Sequence, residues 1–106
     1  MRIIGGLQMK ILITFLMVAM PLTSFSADAN RGKGLYKKCI SCHGKQGEGK
    51  KAQKAPKLAG QYEWYTVKQL QYMKSKKRIN KAMNPYVKNL NDKDFADLAA
   101  YIKTLK

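Results

Sequence analysis

Apolar residues recur at helical spacing most clearly near the C-terminus, where Phe95, Leu98, Ala99, Ile102 and Leu105 fall on one stripe. Asn91 stands ahead of them as an N-cap, and Asp94 at the third helical position makes a short form of the capping box. Asp92 and Asp94 suit the positive end of the helix dipole, as Lys103 and Lys106 suit the negative end. A helix is predicted here, with its apolar stripe turned to the core. A second helix is predicted over 61–78. Trp64, Val67, Leu70 and Met73 are spread over its faces with only moderate periodicity, and core packing accounts for Trp64, Leu70 and Tyr72. The first helix is capped by Asp28 or Asn30 and runs through Arg31 to Lys38 toward Cys39. Gly32 and Gly34 within it cost about 1 kcal/mol each relative to alanine, a penalty that close approach by another helix would explain. Residues 44–51 form a glycine-rich loop, 55–60 are turn-prone, and 79–90, with Asn80, Asn84, Pro85 and Asn89, should be mostly loop. No segment is strand-rich and none repeats, so an all-α fold is expected.

The N-terminus reads as a secretory leader. Lys10 precedes the apolar run 11–20, and Pro21 to Ser26 then supplies turn-forming and small residues. Met9-Lys10 would itself make a typical start, so residues 1–8 read as an upstream extension. Cleavage after Ser26 fits best, whereas cleavage after Ala29 would cut into the first helix. The apolar run is short for a membrane span, which needs about 20 residues, and an uncleaved N-terminal anchor is the alternative. The expected organisation is a signal peptide over 1–26 and one small domain over 27–106. A domain of that size needs a staple to hold it together.

The chemistry is concentrated in Cys39-Ile40-Ser41-Cys42-His43. These are the only cysteines and the only histidine of the chain. Cys-x-x-Cys-His is the pattern of covalent c-type haem attachment. Each thiol adds across a vinyl group to form a thioether, and His43 follows at the position that ligates the iron. A thioredoxin-like dithiol would need a βαβ setting, and a structural zinc site would need four closed ligands; neither context exists here. One covalent haem c is the expected cofactor, and it also supplies the staple. For the second iron face, an amine and an open site are weaker candidates than methionine. Of the two methionines beyond the leader, Met83 in the loop beside Pro85 is favoured over Met73 in a helix, where core packing is the default. A thioether opposite imidazole favours ferrous iron and leaves no vacant position, which suits electron transfer.

Charge narrows the partners. The chain carries 21 Lys+Arg against 6 Asp+Glu, and removing Arg2 and Lys10 with the leader lowers the formal +15 to +13. Two haem propionates would bring this to about +11, an excess that draws the protein to acidic surfaces in a salt-dependent way. An exported protein rarely meets nucleic acid, so none is expected. Acidic redox proteins or an anionic membrane face are the expected partners.

Taken together, Gly34-Leu35-Tyr36 ahead of Cys39-Ile40-Ser41-Cys42-His43-Gly44, then Pro56-Lys57-Leu58-Ala59-Gly60-Gln61, Val67-Lys68-Gln69-Leu70, Met83-Asn84-Pro85 and 90–102 resemble the bacterial class I cytochromes c. The nearest branch holds cytochromes of the c-four kind, which carry two such domains in tandem. The resemblance implies a small class I cytochrome c fold wrapped around one haem. Cys39 and Cys42 look like the thioether sites, His43 like the proximal iron ligand and Met83 like the distal one. Pro56 resembles the proline whose carbonyl accepts the ring N–H of the proximal histidine. Gly34 and Tyr36 resemble the first-helix half of a contact with Leu98 and Tyr101 of the last helix, with Gly34 as the close-approach glycine. Tyr65 and Arg78 resemble propionate contacts. The chain departs from this branch in having one haem motif and a far more basic surface.

The expected function is that of a periplasmic one-electron carrier, not an enzyme, acting as a monomer. Its partners would be acidic redox proteins: a terminal oxidase, a reductase or a periplasmic dehydrogenase. Peripheral contact with the membrane is a further expectation. The competing readings are a haem c subunit of a larger periplasmic oxidoreductase, a haem peroxidase and a gas sensor.

Overall fold

A computed structural model of the protein describes residues 26–106. The leader expected over 1–26, the start extension 1–8 and the anchor alternative fall on residues outside these or at their very edge. Five α-helices follow in order: α1 (Ala29–Tyr36), α2 (Ile40–His43), α3 (Glu63–Lys74), α4 (Asn84–Val87) and α5 (Asp92–Thr104). Short 3-10 turns occupy Lys37–Cys39 and Lys51–Gln53. Among the described residues there is no strand, only an isolated antiparallel bridge between Lys50 and Ala55.

The helix ends follow local chemistry. Asp28 caps α1 by accepting the Arg31 N–H at 3.1 Å, which decides between the two candidate caps. At α5 both arms of the capping box form. The Asn91 side chain accepts the Asp94 N–H, and the Asp94 carboxylate accepts the Asn91 N–H, each at 2.9 Å. The helix predicted over 61–78 is shorter at both ends. It stops because Lys76 turns to a left-handed φ of 63°, and the Arg78 N–H folds back to the Tyr72 carbonyl at 3.0 Å. The stretch 79–90, expected to be mostly loop, contains α4 and the helical turn leading into it.

α5 packs against α1 on one side and α3 on the other. Tyr36, Leu70, Met73, Val87, Phe95, Leu98, Ile102 and Leu105 form the buried core between them. The Tyr36 and Tyr101 rings meet with centroids 5.4 Å apart, joining the first and last helices. The close-approach glycine is Gly32, not Gly34. A Cβ on Gly32 would overlap the backbone of Asp97, whereas one on Gly34 would meet nothing within 4 Å. Gly32 stands one turn before Tyr36 and shares its face toward α5, while Gly34 lies about 200° around from Gly32 and looks outward.

An ion network fastens this crossing. Arg31 donates to Asp97 at 2.8 Å and to Asp94 at 2.6 Å, Lys93 reaches Asp97 at 3.1 Å, and the Asp28 N–H donates to Asp97 at 2.8 Å. Burial pushes the Asp97 carboxyl up, but the hydrogen bonds from Asp28, Arg31 and Lys93 outweigh it and hold the group below its usual range. Asp94 is likewise held low, chiefly by the Asn91 backbone N–H and then by Arg31.

Candidate haem site

The Cys-x-x-Cys-His residues sit where the first helical segment ends. The 3-10 turn brings Cys39 to the start of α2, and Cys42 and His43 follow on its single turn. Both cysteines are half-buried free thiols, not a disulfide. Burial, with the neighbouring Cys42 adding, pushes the Cys39 thiol up to about 11. Such a thiol stays protonated at neutral pH and is unlike the low-pKa nucleophile of a redox dithiol.

His43 is buried, and its Nδ1 lies 2.9 Å from the Pro56 carbonyl oxygen. A carbonyl can only accept, so Nδ1 carries the proton and Nε2 keeps its lone pair for a metal. The glycine-rich loop builds this contact. The Gly49 N–H donates to the His43 carbonyl at 2.7 Å, and the Lys50–Ala55 bridge then reverses the chain toward Pro56. Gly49 has φ 80°, and a Cβ there would come within 2.9 Å of Pro56 backbone, so this loop needs glycine for fit as well as conformation. From the other side, the buried Tyr36 hydroxyl donates to the Gly44 carbonyl at 2.6 Å, pinning the residue after His43.

Cys39, Cys42, His43 and Pro56 line a cleft together with Asn80, Ala82, Met83 and Tyr86. Met83 rides on a turn fixed by Asn80. The Asn80 side-chain oxygen accepts the Met83 N–H at 3.1 Å, and its carbonyl accepts the Asn84 N–H at 3.0 Å. Sequence reasoning missed Asn80; an Asx residue ahead of Pro85 near a helix start was the available signal. Met73, by contrast, belongs to the buried core and does not line the cleft. Tyr65 and Arg78 do not line it either. Tyr65 meets Trp64 edge-on, and the Arg78 guanidinium donates to the Gln69 side chain at 2.9 Å.

Two thiols, an imidazole lone pair and a thioether lining one cleft make a donor set that fits a covalently attached haem. A match to the cytochrome c family covers residues 29–106. The chain belongs to the cytochrome c family. It is similar to cytochrome c4 of Pseudomonas aeruginosa, at 38% identity over 101 residues, covering 92% of this chain and 50% of that protein. Solved structures agree. Reduced recombinant cytochrome c4 from Pseudomonas stutzeri superposes with a TM-score of 0.69 at 30% identity, over 74% of this chain and 48% of that one. Cytochrome c4 of Acidithiobacillus ferrooxidans gives 0.68 at 32% identity, over 77% and 53%. The chain thus spans about half the length of the curated cytochrome c4 it matches. As a class I cytochrome c, its fold is the one expected and its cofactor is covalent haem c, which supplies a one-electron couple. The family is one of electron-transfer proteins.

Proposed function

We propose that this cytochrome c is a periplasmic one-electron carrier whose haem is attached through Cys39 and Cys42 and ligated by His43 and Met83. The observation that carries this reading is the shared cleft: His43, with its proton committed to Pro56, and Met83, held by Asn80, both line it. The two ligands come from separate, internally hydrogen-bonded segments. Neither has to move when the oxidation state changes, which keeps reorganisation small. Pro56 acts through His43, orienting its ring and raising its basicity as a donor.

The surface supports acidic redox partners such as an oxidase, a reductase or a dehydrogenase. Lys38 and Lys54 stand on the cleft, with no carboxylate among its lining residues, and the exposed Lys50, Lys51 and Lys57 flank Lys54 and Pro56 in sequence. Export rests on the leader sequence. No helix among the described residues is long and apolar enough to cross a membrane.

Absorption spectra of the matured protein, ferric and ferrous, with and without carbon monoxide, test the ligation. The expected result is a low-spin protein with a weak far-red iron–methionine band, unmoved by carbon monoxide. Met83→Ala should abolish that band, lower the reduction potential and admit carbon monoxide while the haem stays attached. A high-spin wild type, or a Met83→Ala protein with an unchanged spectrum, would overturn the assignment.

A further inference from the structure

Three exposed aromatic side chains are clustered around the start of α3. The Tyr62 and Trp64 rings stack, with centroids 6.3 Å apart and planes 16° from parallel, and Tyr65 meets Trp64 edge-on at 5.9 Å. Tyr62 is 70% exposed, and Trp64, expected in the core, is 66% exposed, so the cluster stands in solvent and contributes little to the core. From Glu63 and Trp64 the same face continues along α3 as a groove against α5, lined by Val67, Lys68, Gln71, Tyr72 and Ala96.

Positive charge surrounds this face. Lys57 shares a shallow hollow with Tyr62. The Lys68 and Lys77 ammonium groups lie 5.7 and 4.6 Å from the centroid of the Tyr72 ring. Lys74, Lys76 and Arg78 follow at the end of the helix, all exposed. Of the nearby carboxylates, Glu63 lies 3.4 Å from Lys103 Nζ, and Asp92 accepts the Gln71 side-chain N–H at 3.2 Å.

We propose that this face seats the protein on an anionic lipid surface, the aromatic cluster entering the headgroup layer and the flanking bases meeting lipid phosphates. Tryptophan and tyrosine favour that layer because each has an apolar body and a hydrogen-bonding tip. Basic side chains beside it add attraction that falls off within a Debye length. An acidic protein would meet the lysines equally well. The Tyr62 and Trp64 rings, however, project from the helix start with most of their surface free, a shape suited to a soft, deformable layer, whereas a protein dock concentrates its aromatic anchors in fitted pockets.

The matured haem protein is to be sedimented with vesicles of equimolar phosphatidylglycerol and phosphatidylcholine, and with phosphatidylcholine alone, across a salt series. Binding is expected to the anionic vesicles only, with a part that survives salt high enough to screen long-range attraction. Tyr62→Ala/Trp64→Ala alters exposed side chains and is expected to lower the salt-resistant partition about tenfold. Lys68→Glu/Lys77→Glu is expected to weaken low-salt binding by about fivefold or more per residue. Binding of Tyr62→Ala/Trp64→Ala equal to wild type at every salt concentration would overturn the proposal. So would a wild type that ignores anionic vesicles; slowed electron transfer to an acidic protein in the aromatic variant would then mark the face as a protein dock.

Discussion

Gly32 of α1 lies so close to Asp97 of α5 that a Cβ added to it would overlap the Asp97 carbonyl, with its carbon at 2.6 Å and the Tyr101 Cβ at 3.0 Å. The overlap is with backbone, which cannot swing aside as a flexible side chain would. Gly32→Ala is therefore expected to force the two helices apart and cost about 1–3 kcal/mol or more. Gly34→Ala enters open space in a helix and should stabilise by up to about 1 kcal/mol. Denaturant unfolding of the haem-loaded proteins measures both, and the opposite signs are the point at issue. Equal effects would mean that the helix crossing does not depend on Gly32.

The legible parts of the fold were those where local signals agree. For α5, cap, stripe and terminal charges all lie within the helix itself, and both arms of its capping box form. The end of α3 was not legible, because lysine at Lys76 gives no sign of a left-handed φ. The close-approach glycine was legible in principle, since only Gly32 is one turn from Tyr36; the resemblance pointed to Gly34 instead. At the site, Cys39, Cys42 and His43 announce themselves by spacing. The contact of His43 with Pro56 depends on a loop closed by Gly49 and the Lys50–Ala55 bridge, which no local pattern specifies. Likewise Arg31 and Asp97, 66 residues apart, read as surface charges until the helices cross.

The Arg31–Asp94–Asp97 network makes acid a specific stressor. Both carboxyls are held below their usual 3.8 in the folded protein. Their contribution is thus complete above the unfolded value and is lost as pH falls through the lower folded values. Stability referable to this network should be level from neutrality to about pH 5 and decline below about pH 4. Asp97→Asn keeps an acceptor for the Asp28 N–H but removes the charge. It should lower the neutral plateau and make the acid limb shallower in urea unfolding followed from pH 7 to 2. An acid limb identical to that of wild type would remove Asp97 from the account.

Tyr36 offers a test of how the haem-binding turn is braced. Its ring is packed on Tyr101 and its hydroxyl donates to the Gly44 carbonyl at 2.6 Å inside the core. Burial, foremost, pushes the phenol up to about 12, so it remains a donor at neutral pH. Tyr36→Phe keeps the packing and orphans a buried carbonyl, which should cost about 1–3 kcal/mol. Unfolding at neutral pH reads this cost directly. A negligible loss would mean that water replaces the hydroxyl or the turn relaxes.

Asn80 should control how firmly Met83 is held. Asn80→Ala removes the side-chain acceptor of the Met83 N–H while leaving the Asn80 carbonyl bond to Asn84 in place. With Met83 on the iron as proposed, the iron–methionine band is expected to weaken on warming at lower temperature than in wild type, and carbon monoxide should bind the ferrous form where wild type excludes it. Asn80→Asp retains an acceptor and should restore most of the band. The spectroscopic readout separates this from a general loss of stability, which would not be reversed so selectively. A band unchanged in Asn80→Ala would show that packing alone holds the methionine.

The cluster Lys50, Lys51 and Lys54 tests whether charge acts locally or only in sum. Any charge reversal on so basic a chain reduces attraction to an acidic partner, so a slower rate by itself decides little. Lys33, Lys88 and Lys106 provide the control: they are exposed, lie off the 44–57 loop through which Lys54 reaches the cleft, and change the net charge equally when replaced by glutamate. Steering by the cleft edge predicts that Lys50→Glu/Lys51→Glu/Lys54→Glu slows electron transfer to an acidic redox protein at low salt about tenfold more than the control triple. The difference should vanish as added salt shortens the Debye length from about 30 Å at 0.01 M to about 3 Å at 1 M. Stopped-flow rates across that range settle the matter. Equal slowing by the two triples would assign the effect to net charge and leave the docking face to be sought elsewhere.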